Sequence, residues 1–181
     1  MVKSLLEKIA MDRRSFVAIA SMGALISSSA SAAASTDDAR AVSALLTEYQ
    51  ASWNAGDAAR MFRLATDDIH WVNIVGMHWQ GKAQAELAHR AYLETMFRGV
   101  PLTLEEVESI MPLGADALIV VARWNIGAFT PPDGQAVPPS KDRMSLVLHR
   151  TSAGLRIAHG ANVQINQAVQ QFDPAKGTPP A

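Results

Sequence analysis

Ser52-Trp53-Asn54-Ala55-Gly56-Asp57 ends one helix and begins the next. Gly56 suits the left-handed position after a helix C-terminus, and Asp57 can accept from the free N–H groups of a following helix. Upstream, Val42, Leu45, Leu46, Tyr49 and Trp53 recur at i, i+3, i+4, i+7 and i+11, a single apolar stripe. Thr36-Asp37-Asp38 caps that helix, with carboxylates at its positive end. Downstream, a short second helix carries Met61, Phe62 and Leu64 on its buried side and ends at Asp67-Asp68.

Ile69 to Val75 then reads as a strand, Gly76 as a turn, and Met77-His78-Trp79-Gln80-Gly81 as a short extended arm. Lys82 to Arg98 contains no Gly or Pro and predicts a third helix, with Ala85, Ala88, Tyr92 and Met96 as its stripe and His89 at the stripe's edge. From Leu102 the character turns to β. Leu102, Leu104 and Val107 introduce one strand and Leu118 to Ile126 form another. A Pro/Gly loop from Thr130 to Pro139 separates these from Met144 to His149 and Leu155 to Ile165, a pair joined at Ser152-Ala153-Gly154. The expected fold is α+β, with three N-terminal helices packed on one face of a curved, mostly antiparallel β-sheet. It spans residues 36–168, with a flexible tail over 169–181.

The chain has 181 residues, 49% of them hydrophobic, and no cysteine. That excludes disulfides, thiolate zinc sites, cysteine-held iron–sulfur clusters and a cysteine nucleophile. With 16 basic and 17 acidic side chains there is no basic excess of the kind nucleic-acid binding needs. The first residues read as an address. Arg13-Arg14-Ser15-Phe16-Val17 resembles a twin-arginine signal, with residues 1–10 as an extension upstream of Met11. An apolar run from Phe16 to Ile26 and small-residue cleavage patterns ending at Ala32 and Ala34 follow. The run is well short of the roughly 20 residues that span a bilayer, so no stable membrane anchor is expected. Cleavage near Ala32 or Ala34 would leave a periplasmic or secreted domain. The other reading of the same stretch is an amphipathic helix retained on the protein. Four of the 16 basic and two of the 17 acidic groups lie in residues 1–32, so the remainder carries 12 and 15, a net of -3.

Several motifs carry a family resemblance. Ser52 to Asp57, Thr66-Asp67-Asp68 and Gly81-Lys82 resemble the nuclear-transport-factor-2-like superfamily. Val72-Asn73-Ile74-Val75-Gly76-Met77-His78-Trp79-Gln80-Gly81, Phe97-Arg98-Gly99, Arg123-Trp124 and Ile157-Ala158-His159-Gly160-Ala161-Asn162 resemble the SgcJ/EcaC family of SnoaL-like proteins. The resemblance covers about residues 38–167. It implies a cone whose open end, between sheet and helices, holds a small apolar or aromatic molecule. It also implies relatives that are isomerases, cyclases, dehydratases or purely binding and dimerising domains. Family members carry an oxidoreductase label, yet no motif for a redox cofactor is present and no cofactor is expected.

The candidate chemistry rests on His and Asn. His89, inward on the third helix, could serve as general acid or base or be a satisfied core histidine. Asn73, sharing a strand face with Trp71 and Val75, could polarise a substrate carbonyl or be satisfied by nearby backbone. His78 on the arm offers a polar group at the pocket mouth or on the surface. Trp53, Trp71, Tyr92 and Trp124 are core or pocket rings, Trp79 is the candidate gate, and Asn162 lies at the end of the last strand. His70 and His78 are eight apart across a turn and no helical His spacing occurs, so no metal site is expected. No Gly-x-Ser-x-Gly elbow or phosphate loop is present. An inward carboxylate on a pocket strand is not apparent, because Asp67 and Asp68 read as cap and turn. Two functions fit: proton transfer on a small apolar carbonyl or aromatic compound, or a non-catalytic ligand-binding domain. Leu146 and Leu148 alternate with Val147 and His149, a strand with no solvated face, and imply a homodimer.

Overall fold

A capping box opens the fold: the Ser35 hydroxyl accepts from the Asp38 N–H at 3.1 Å, and the Asp38 carboxylate accepts from the Ser35 N–H at 3.2 Å. The computed structural model describes residues 33–176; the expected leader over residues 1–32 lies outside them. The cap starts α1 (Thr36–Asn54), which buries Val42, Leu45, Leu46 and Tyr49 and is followed by Gly56 at φ +67°. Asp57 Oδ1 accepts from the Arg60 N–H at 2.8 Å and so caps α2 (Ala58–Phe62). The chain continues through β1 (Ala65–Val72), β2 (His78–Gln80), α3 (Lys82–Glu94), β3 (Leu102–Leu113), β4 (Ala117–Ile126), β5 (Ser140–Thr151), β6 (Gly154–Gln164) and α4 (Gln167–Gln170).

The helical layer differs from the expected three N-terminal helices. Only α1 and α3, of 19 and 13 residues, are of any length; α2 has five residues, and β1 and β2 intervene before α3. β1 starts at Ala65, so Asp67 and Asp68 lie in the strand rather than ending a helix. Both are exposed there, where a carboxylate keeps its water. The strand stops at Val72 because Asn73 folds the chain back on itself. α3 ends at Glu94, short of Arg98, where Thr95 leaves helical geometry at φ -121°, ψ -104°. Its buried residues are Ala85, His89 and Leu93, so His89 stands at the centre of the buried face rather than at its edge. The expected tail begins with α4 and a 3-10 turn over Pro174–Lys176. None of the described helices is long and apolar enough to cross a membrane.

The six strands form one sheet in the order β2-β1-β6-β5-β4-β3. β1 pairs with β6 in parallel and every other pair is antiparallel, so the sheet is mixed. Register shifts between Leu104 and Glu106, Val107 and Ser109, and Val147 and Leu148 bend it. Leu118, Val120, Ala122, Trp124 and Ile126 of β4 alternate inward with Met144, Leu146 and Leu148 of β5, against the helical layer. Gly160 of β6 lies against the Trp71 ring, where an added Cβ would stand 2.4 Å from it.

The hexapeptide from Ser52 to Asp57 ties the layers together. Trp53 Nε1–H donates to the Val100 carbonyl at 3.0 Å. Asn54 pairs with Leu102 twice, donating from Nδ2 to its carbonyl and accepting at Oδ1 from its N–H, both at 2.9 Å. The end of α1 thus acts as a partner to the start of β3.

Candidate functional site

Between the helices and the inner face of the sheet lies a cavity of about 730 Å³. Its size suits a small organic ligand. Of the residues singled out from sequence, Trp53, Trp71, Asn73, Trp79, His89, Tyr92, Trp124 and Asn162 all line it. His78 does not. The three-residue strand β2 alternates: Trp79 turns inward, so His78 and Gln80 turn out, and the His78 ring meets His70 on the opposite side of the sheet. The expected polar group at the mouth is therefore absent from the cavity.

His89 is 6% exposed, with its ring edge-on to Phe62, Trp71 and Trp79 at centroid distances of 4.9, 5.2 and 5.4 Å. Nδ1 donates to the Ala85 carbonyl, 2.8 Å away, which leaves Nε2 as an acceptor in the neutral ring. Burial pushes the pKa down to about 4 from 6.5, the Ala85 hydrogen bond opposing it only in part. At neutral pH His89 is uncharged and a weak base.

Asn73 lies beyond the end of β1, at the cavity rim, and is not a strand residue. Its Oδ1 accepts from the N–H groups of Val75 at 3.1 Å and Met77 at 2.8 Å, so the carbonyl is consumed by the turn and Nδ2 alone is left for a ligand. The same turn holds Ile74, Val75 and Met77 at the mouth, where the Tyr92 hydroxyl reaches Met77 Sδ at 3.2 Å.

The residue that sequence reading missed is Asp142. It is the only carboxylate lining the cavity among the described residues, and no Lys or Arg joins it there. β5 begins at Ser140, four residues before the expected Met144, and the extension places Asp142 in phase with Met144, Leu146 and Leu148 on the inner face. That two-residue alternation, run backwards from Met144, is the signal in the sequence that points to it. Asp142 stands opposite Trp124 on β4 and opposite Gln164 on β6.

Asp142 is 8% exposed and Trp124 1%. Asp142 Oδ1 and Trp124 Nε1 are both buried and find no hydrogen-bond partner among the described residues. Each such group costs about 1–3 kcal/mol relative to a partnered one, and these two belong to residues that are neighbours across β4 and β5 in the cavity wall. Burial raises the Asp142 carboxyl from 3.8 to about 6, and the Asn162 amide pulls weakly the other way. A carboxyl poised near neutrality can take a proton and return it. Tyr49, stacked on Trp71 and tilted against Trp124, has its phenol pushed up by burial and stays protonated.

The family model described as "SnoaL-like domain" matches residues 33–159. Three solved structures illustrate what the chain is similar to. An uncharacterized protein with a cystatin-like fold from Caulobacter vibrioides is 30% identical, with a TM-score of 0.73 over 77% of this chain and 98% of that one. A ketosteroid isomerase-like protein from Erwinia carotovora atroseptica is 18% identical, with a TM-score of 0.62 over 73% and 99%. An NTF-2-like protein of unknown function from Shewanella oneidensis MR-1 is 15% identical, with a TM-score of 0.57 over 69% and 98%. No curated protein matches the chain.

Proposed function

The chain belongs to the SnoaL-like domain family, and from that premise we propose that it binds a small, mostly apolar carbonyl or aromatic compound in the cavity and transfers a proton on it. The observation that carries this reading is the Asp142–Trp124 pair, neighbours across β4 and β5 in the wall of an aromatic cavity, each with a buried polar atom that has no partner among the described residues. Asp142, as carboxylate, takes a proton from the carbon beside a carbonyl. The electron pair moves onto the carbonyl oxygen, which Trp124 Nε1–H holds, and the carboxyl then returns the proton. Asn162 steadies Asp142, while Asn73 Nδ2 at the rim is a second donor that can polarise the same kind of group.

His89 takes a different part from the acid/base role its residue type suggests. A ring held neutral down to about pH 4 gives up no proton at physiological pH, so His89 shapes the wall and offers Nε2 as an acceptor for a ligand hydroxyl. The rings of Trp53, Trp71, Trp79 and Tyr92 supply apolar contact.

The test is exchange of α-protons in D2O, followed by proton NMR on a set of apolar cyclic ketones. The wild-type chain should exchange at least one of them, with a rate that rises as pH climbs through about 6, and Asp142→Asn should slow it by roughly 100-fold or more, the usual scale of acid–base catalysis. Ligand binding with no exchange above background would favour the non-catalytic reading instead. Absence of both binding and exchange would overturn the proposal.

The working form we infer is an exported homodimer. Support for export is the Arg13-Arg14 leader. Support for pairing is the outer sheet face, where Met111, Leu113 and Val163 are 44%, 54% and 66% exposed beside half-buried Ile119, Val121 and Val147.

A further inference from the structure

His70 and His78 stand together on the outer side of the sheet, away from the cavity. Their placement follows from register. β1 and β2 are antiparallel with His70 opposite Gln80, Trp71 opposite Trp79 and Val72 opposite His78. With both tryptophans turned into the cavity, His70 and His78 must share the other face, one diagonal step apart. Nδ1 of His70 is 3.0 Å from Nε2 of His78, the ring centroids are 5.1 Å apart and the planes are inclined at 39°. Both residues are exposed, and β2 is the sheet's edge strand, so the pair is open to solvent on one side.

That separation has a chemical meaning. Two imidazole nitrogens bound to one ion at about 2.0–2.1 Å lie about 2.9–3.4 Å apart, as the angle at the metal runs from a right angle to tetrahedral. The pair already has the span of two adjacent ligands. Without an ion the same geometry is a hydrogen bond in which one nitrogen carries the proton. Moving that proton to the other nitrogen of its own ring frees both lone pairs, with no net release from neutral rings.

We propose that His70 and His78 form a two-histidine site for a divalent transition-metal ion, with water completing the coordination. Imidazole nitrogens suit Cu2+, Ni2+ and Zn2+, and for such a donor set Cu2+ leads the affinity order. A nitrogen separation at the right-angle end of the range also matches the tetragonal geometry of Cu2+. Asp68, His149 and His159 share this face. His159 is opposite His70 in the parallel register, and its pKa is lowered first by burial and then by the nearby His70 and His78. Among the described residues no group of three or more His, Asp or Glu side chains converges on one point, so the site has two protein ligands. In the sequence the two histidines stand eight apart across a turn and, with no helical spacing, point to no metal site; the turn at Gly76 and the β1–β2 register bring the two rings together.

The experiment is calorimetric titration of the full chain with Cu2+, repeated for His70→Ala, His78→Ala, the double variant and His149→Ala. Thermal melts of each confirm folding, which exposed substitutions leave intact. One strong Cu2+ per chain is expected for the wild type, with electron paramagnetic resonance showing two imidazole nitrogens on it. Each single variant should weaken binding by at least about 10-fold, the loss that follows even from removing a ligand's outer partner. His149→Ala should bind as the wild type does. Wild-type affinity equal to that of the double variant, or an equal loss in His149→Ala, would overturn the site. The ion lies across the sheet from the cavity, so the outcome is independent of the proposed proton transfer.

Discussion

Asp142 is the residue whose chemistry reaches furthest into the protein's behaviour. Its carboxyl is raised from 3.8 to about 6 in the folded chain, so folding disfavours its charge. The resulting penalty is absent below the unfolded value, grows as pH rises through the interval, and is complete above about 6. Asp142→Asn should therefore stabilise the protein at pH 7.5 by up to about 3 kcal/mol, with the gain vanishing as pH falls toward 3.8. Paired thermal melts from pH 4 to 8 check this. His89 works in the opposite sense. Lowered from 6.5 to about 4, it contributes stability that is present above 6.5 and lost as pH falls through about 4. Comparing the variant with wild type at each pH cancels the histidine and isolates the carboxyl. The inward rings are legible in the sequence because aromatic residues at Trp71, Trp79 and Trp124 follow the strand alternation. Asp142 is not, because Pro138 and Pro139 just before it read as loop and a polar residue next to a loop reads as surface. Asn73 misleads for a related reason: nothing local distinguishes an amide that faces a ligand from one that closes a turn.

At the level of elements, the legible parts are those set by short-range rules. Gly56 and Asp57 stop and start helices through caps, and the Ser152–Gly154 hairpin joins β5 to β6 as its turn residues require. What the chain does not display is which elements meet. Asn54 looks like a helix-end residue in sequence, yet its amide completes the first pairing of β3. The parallel contact of β1 with β6 is equally hidden, and with it the need for Gly160 beneath Trp71. Gly160→Ala sets a methyl carbon 2.4 Å from that ring, so ring or strand must move. The expected cost is about 1–3 kcal/mol in urea unfolding, with reduced ligand affinity because Trp71 is also cavity wall. A Gly160→Ala protein as stable as wild type would show that the strand yields freely there.

For the molecule as a whole, the two faces of one sheet divide the work. The inner face carries the cavity. The outer face carries the histidine pair at one edge and, toward the other, a lattice in which Arg123 meets Glu105, Glu106 and Glu108, and Arg143 meets Glu108 at 2.5 Å. Lys141 joins Glu105 at 2.7 Å, so β3, β4 and β5 are laced across their strands. The apolar outer-face residues that the dimer reading assigns to a partner copy are spread over β3, β4, β5 and β6. Native mass spectrometry of protein recovered from an exporting host should report a chain shortened to start near Ala33 or Ser35, present as a dimer. A full-length monomer in that preparation would remove both inferences. The length of the chain and its balanced charge, taken alone, suggest one domain and little else; the division of labour between faces emerges only from register.

The parallel pairing of β1 with β6 also orders events in time. Trp71 and Gly160, neighbours in the finished sheet, are about ninety residues apart along the chain. A ribosome makes the helices and β1 early, but they cannot close a chamber until the last strand has emerged and crossed back over them. Until then Trp71 and Trp79 have no lid of sheet beside them, and the apolar wall that would receive a ligand is open to any hydrophobic surface nearby. The cavity wall is thus completed only when β6 is made, and a chain cut short before β6 would leave this apolar surface exposed.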